Sequence, residues 1–130
     1  MPAVERSALL PVLAFGGAAW AVLPPYVGPS VAAAGRAEVA DHVVPAAVLA
    51  MTAAVLLLVR ATGTALFAGG LVTLLAGLWM TATHLPLLRQ ADAGVVTWPA
   101  AIHHSLPGVA LLGLGALWCA RTHEAAAVRR

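Results

Sequence analysis

The chain has 130 residues, of which 62% are hydrophobic and 9% are charged. A typical soluble domain is about 45–50% apolar and about 25% charged, and a small domain buries a smaller share of its surface than a large one. The composition therefore excludes a soluble globular domain. It also excludes disorder, because disordered chains are polar and rich in charge. It predicts an integral membrane protein with a single small domain, residues 1–130.

The charged residues are sparse and give no sign of a nucleic-acid partner. Seven arginines, no lysine and five acidic residues leave a formal net charge of +2. The arginines are spread along the chain instead of forming a basic patch, which argues against nucleic-acid binding. The single cysteine, Cys119, cannot form a disulfide within the chain, so it does not indicate a redox compartment.

Four apolar stretches are each long enough to cross a bilayer as a helix, which takes about 20 residues. Spanning strands would alternate polar and apolar residues over about ten positions, and these stretches do not. The predicted fold is therefore all-α, a bundle of four transmembrane helices. The predicted spans are approximately residues 7–24, 39–59, 65–88 and 96–120, with an outer loop at about 25–38.

The first stretch also has a second interpretation. The apolar run from Ala8 to Leu23 is near the upper length of a signal peptide, and Ala32–Ala34 offers a weak cleavage site. We interpret this run as the first membrane helix, which places an even number of spans in the chain.

The arginines beside the spans predict the orientation, because cytoplasmic loops are enriched in Lys and Arg. With four spans, both termini lie on the same side as the loop near Arg60. That side carries five of the seven arginines, so we predict that both termini are cytoplasmic. The five are Arg6, Arg60, Arg121, Arg129 and Arg130, and the other two are Arg36 and Arg89.

Two segments of the chain share the pattern His-x-x-Pro near the predicted outer start of a span. They are His42 to Pro45 in the second span and His104 to Pro107 in the fourth. One interpretation is chance, since the chain is rich in Ala and Leu. The other is a duplicated helical hairpin with a pseudo-two-fold axis along the membrane normal.

Four of the five histidines lie at the outer ends of the predicted spans. With a rise of about 1.5 Å per residue, they fall in one layer together with one carboxylate. The fifth, His123, follows the fourth span and is expected to be solvated. The layer consists of His42 from the second span, His84 from the third, His103 and His104 from the fourth, and Asp41.

Small residues indicate which histidines point into the bundle. A small-residue ridge on the third span predicts a close helix contact, and His84 lies on the same side because residues three or four apart share a face. His104 shares a face with two glycines, whereas His103 lies about 100° around its helix. The ridge is Gly69, Thr73, Gly77 and Thr81, and the facing residues of the fourth span are His104, Gly108, Leu111 and Gly115.

A transition-metal site is the first chemical interpretation of this layer. Imidazole suits Zn, Cu, Fe and Ni, whereas Mg and Ca prefer oxygen ligands. A copper or zinc ion would be held by His42, His84 and His104, with Asp41 in direct contact or orienting a ring. The predicted metal-site residues also include His103.

A b-type haem is the second interpretation. His42 and His104 would be its axial ligands, and Gly108 and Ala46 would leave room for the macrocycle. Arg36 and Arg89, both on the outer side, would meet the propionates. The chain has no Cys-x-x-Cys-His sequence, so covalent c-type attachment is excluded.

The remaining alternatives assign the histidines a purely structural role or a transport path. The chain would then be a small non-catalytic subunit of a larger membrane complex, or a dimeric transporter. An enzyme is disfavoured, because His104 and Ser105 diverge by about 100° on a helix and make a poor base–nucleophile pair. In each case we expect contact with lipid and assembly as a homo-oligomer or within a larger complex.

Overall fold

The computed structural model describes residues 3–24 and 39–127, which are helical apart from short turns. Within these ranges no strand occurs, so the all-α prediction is confirmed there. A π-helical turn, Val39–Val43, leads directly into the second helix. The helices are α1 (Ala3–Ala21), α2 (Val44–Leu58), α3 (Thr64–Asp92) and α4 (Trp98–Ala127).

Within the described residues, three helical segments are long and apolar enough to cross a membrane: Ala40–Leu58, Thr64–Asp92 and Trp98–Ala127. Helix α1 contributes a shorter apolar stretch, Ala8–Ala21. Large hydrophobic side chains are exposed on all four helices, and extensive apolar surface of this kind marks contact with a membrane or a partner. The helices thus fit a membrane protein. The first span stays a prediction, and the outer loop at about 25–38 lies outside the described residues.

Helices α3 and α4 are longer than the spans predicted from the apolar pattern. Helix α3 continues to Asp92 instead of ending near residue 88, and α4 continues to Ala127 instead of residue 120. The added residues are largely good helix formers such as Ala, Arg, Gln and Glu. The apolar pattern marks the part of a helix that suits hydrocarbon, whereas the backbone hydrogen bonds continue past it.

Helices α3 and α4 pack against each other in antiparallel directions with their backbones in close approach. A Cβ atom added at Gly108 would lie 2.8 Å from the amide nitrogen of Thr81. A Cβ atom added at Gly77 would overlap the backbone of Leu112. The predicted close contact at Gly77 is therefore confirmed. The hydroxyl of Thr81 donates to the carbonyl of Gly77, so the ridge buries no unsatisfied hydroxyl there.

Helices α1 and α2 form the other side of the bundle through small residues. The α1 face consists of Ala14, Ala18 and Ala21, and the α2 face includes Ala46 and Ala53, all buried. Small side chains let membrane helices approach closely. This packing brings the end of α1 beside the π-helical turn.

The two His-x-x-Pro segments differ in local structure. His42 lies in the π-helical turn, with Pro45 in the first turn of α2, whereas His104 and Pro107 both lie inside α4. Pro45 has no N–H to donate to the carbonyl of Asp41, which permits the wider turn there. The duplicated hairpin stays a hypothesis.

The close approach of α3 and α4 predicts the effect of one added methyl group. We expect Gly77→Ala to lower the free energy of unfolding by about 1–3 kcal/mol, the usual cost of overpacking, because the methyl group meets backbone that cannot rotate away. Thermal unfolding in detergent measures the change. Gly113→Ala is the matched control, since a Cβ atom there meets nothing within 4 Å. Equal unfolding temperatures for the two variants would contradict this packing.

Candidate metal centre

Three of the predicted histidines converge inside the bundle. His42, His84 and His104 are 0%, 4% and 2% exposed. The ring centroid of His42 lies 4.4 Å from that of His84 and 5.6 Å from that of His104, and the His84 and His104 centroids are 6.3 Å apart. One nitrogen of each ring lies within 4.8 Å of the other two. His42, His84 and His104 together form the histidine triad.

The packing of α3 on α4 places two members of the triad. Gly108 lies against Thr81 at the point where the helices meet, and His104 and His84 each lie about one turn from that contact. Both rings therefore lie on the mutual face of the two helices.

The end of α1 holds the third member. Nδ1 of His42 lies 2.9 Å from the carbonyl oxygen of Ala21, and Ala21 is the last residue of α1. The last carbonyls of a helix have no partner within it, so this carbonyl is available to accept a hydrogen bond. The bond links α1 to the π-helical turn and fixes the ring of His42.

A backbone carbonyl holds His84 in the same way. Its Nδ1 lies 2.7 Å from the carbonyl oxygen of Met80, one turn earlier in α3. The hydroxyl oxygen of Thr83 is 3.1 Å from the same Nδ1, and that hydroxyl lies 3.2 Å from the Met80 carbonyl, to which it donates. The ring is thus fixed by two groups of its own helix.

These bonds determine which nitrogen of His42 and which nitrogen of His84 can bind an ion. A carbonyl oxygen can only accept a hydrogen bond, so Nδ1 of His42 and Nδ1 of His84 each carry a proton and act as the donor. A neutral imidazole then has its lone pair on Nε2. Histidines that ligate metals nearly always donate their other ring N–H to a carbonyl, a carboxylate or water, and two members of the triad have this arrangement.

The triad has the chemistry of a transition-metal site. Imidazole nitrogens bind Zn at about 2.0–2.1 Å, so three of them around one ion lie roughly 3.4 Å apart. The observed nitrogens lie within 4.8 Å of one another, so ion binding would require the side chains to move closer together. Three protein ligands leave one tetrahedral position for water or another donor. The triad could therefore hold a metal ion.

The structure places the other predicted site residues around the triad or away from it. Asp41 is half-buried in the π-helical turn, and His103 is half-buried with its ring 5.8 Å from that of His104. The group of mutually close ligand atoms contains neither of them. Arg89 is exposed on α3, and Arg36 lies outside the described residues. His123 is exposed near the end of α4, where the sequence predicts a solvated side chain.

The space expected for a haem at Gly108 is filled by protein. A Cβ atom at this position would lie 2.8 Å from the nitrogen of Thr81 and 3.0 Å from the carbonyl carbon of Met80. Gly108 therefore permits the close approach of α3. This contact explains why the position is a glycine, and no haem is needed to explain it.

Comparison of the chain with protein-family models, with curated proteins and with solved structures gave no match.

The bond from His42 to Ala21 predicts that this histidine stabilises the docking of α1. In the metal-free protein we expect His42→Ala to speed amide exchange in the last turn of α1, because a typical hydrogen bond contributes about 0.5–1.5 kcal/mol. Hydrogen–deuterium exchange measures this. His84→Ala is the matched control, since the hydrogen bonds of its ring, to Met80 and Thr83, stay within α3. Equal exchange in α1 for both variants would show that the bond does not hold the helix.

Proposed function

We propose that this protein is an integral membrane protein that binds one copper or zinc ion through His42, His84 and His104. The ion would serve in a binding or redox-accessory role near the outer membrane surface. The observation that carries the proposal is the convergence of three buried imidazoles, two of which use Nδ1 to donate to a backbone carbonyl. That arrangement supports a lone pair on Nε2 of each of those two rings, directed away from the carbonyl.

The location of the triad supports a functional site over a purely structural one. Ionisable residues within membrane spans are costly and are usually retained for function. A structural role needs one hydrogen-bonding ring at a helix contact, and α3 and α4 already pack through their glycines. Three imidazoles from three helical segments are more than that contact requires.

In our proposal Asp41 acts beside the triad, where a carboxylate can orient an imidazole and raise its basicity.

The visible spectrum of the purified protein tests the haem alternative. A b-type haem held by His42 and His104 would give an intense Soret absorbance in the purified protein. The packing of Gly108 against α3 favours a bare metal ion over a haem.

Metal content is the direct test of this proposal. We expect the protein, purified in detergent, to bind about one equivalent of copper or zinc, and His104→Ala to lower the affinity by about 10–100-fold or more, the range seen even for partners outside the first shell. Elemental analysis after dialysis measures the content. His123→Ala, which changes an exposed histidine of the same helix, is expected to retain the ion.

Two results would contradict the metal proposal. One is a folded wild-type protein that binds no transition metal, which would favour the non-catalytic subunit, especially if it co-purified with a larger membrane complex. The other is metal lost equally from the His104 and His123 variants. Flux into liposomes with no retained ion would support the transporter alternative.

The arginine distribution predicts a topology that labelling can measure. We expect a cysteine at position 130 to react from the cytoplasmic side and a cysteine in the 25–38 loop to react from the other side, because five of seven arginines then lie in the cytoplasm. The background for both is Cys119→Ala, which removes the natural thiol. Labelling of the loop from the cytoplasm would overturn the orientation.

A further inference from the structure

The triad is enclosed, so an ion needs a route to it from the surface. All three rings are nearly inaccessible to solvent. The fourth histidine of the layer, His103, is only half-buried. Its ring centroid lies 5.8 Å from that of His104, with the two rings nearly perpendicular.

His103 faces the same cluster without joining its ligand set. Its ring contacts that of His104, whose centroid lies 5.6 Å from that of His42, so all of these rings lie near the same end of the helices. It lies about 100° around α4 from His104, and in the part of the chain that the structure describes the mutually close ligand atoms come from the triad alone. His103 is thus more accessible than the triad and lies next to one of its members.

We propose that His103 is a capture ligand through which the ion enters and leaves the histidine triad. This inference rests on the proposed metal function. A hydrated ion exchanges one water for a ring nitrogen of neutral His103, and a nitrogen of His104 then displaces another water. His42 then displaces a further water, and the bond to His103 breaks as His84 takes its place. Each step exchanges one neutral donor for another, so no proton or electron is transferred.

Such a role changes rates and leaves the equilibrium unchanged. A group that binds the ion only in transit lowers the barrier in both directions. Its loss therefore slows loading and release by the same factor. If His103 were instead a fourth permanent ligand, its loss would weaken binding, because the ion would be released faster.

The experiment uses Co(II), whose visible absorbance reports its ligands, with the full chain in detergent. We expect His103→Ala to slow loading and chelator-induced release by a similar factor of roughly ten, equivalent to a barrier change of about 1.4 kcal/mol. The dissociation constant and the Co(II) spectrum are expected to match those of wild type. His103→Asn, which keeps a polar group, is expected to show the same rates of loading and release as His103→Ala. Agreement between the two variants would exclude a packing defect as the cause. His123→Ala is the control for a histidine remote from the layer.

The outcomes separate this inference from the proposed function. Wild-type rates in both His103 variants, with Co(II) bound, would overturn the capture role and leave the metal site intact. Weaker binding with an altered spectrum would also overturn it, because His103 would then be a permanent ligand. Failure of the wild-type protein to bind Co(II), copper or zinc would overturn both proposals.

Discussion

The backbones of α3 and α4 touch, and the histidine triad depends on that contact. Glycines at 77, 108 and 115 leave no side chain between the two helices, so their separation and rotation are fixed by backbone atoms. Interiors packed in this way resist small displacements. His84 and His104 each lie about one turn from the contact between Gly108 and Thr81. Because the two helices are fixed there, the ring centroids of His84 and His104 lie 6.3 Å apart.

The third imidazole comes from the other half of the bundle, and its position depends on the end of a helix. The carbonyl of Ala21 accepts from His42, and the C-terminal end of a helix carries a partial negative charge of about half an electron. That charge favours a cation nearby. The bond that orients the ring thus also places the end of α1 beside His42. The partial charge of that helix end would lower the electrostatic cost of an ion at the triad, which contains no carboxylate.

The sequence predicted the helical class, the ridge at Gly77 and the convergence of His42, His84 and His104, because each follows from helical spacing and chemical type. It did not predict the carbonyls of Ala21 and Met80, since backbone acceptors leave no mark on residue identity. Thr83 carried a weak signal as a hydroxyl beside His84. The π-helical turn at Val39–Val43 was also missed, although Pro45 removes an α-helical donor there. Gly108 was assigned to a haem cavity, whereas it serves the contact with α3.

X-ray absorption by the bound copper or zinc tests the central claim most directly, because it counts the ligands around the ion itself. For the loaded wild-type protein the account predicts a first shell with three nitrogens at about 2.0–2.1 Å and the outer-shell scattering of three imidazole rings. Loss of one ring from that pattern in His84→Ala would agree with it. A first shell of oxygen or sulfur without imidazole scattering would contradict the assignment of the triad as the metal site.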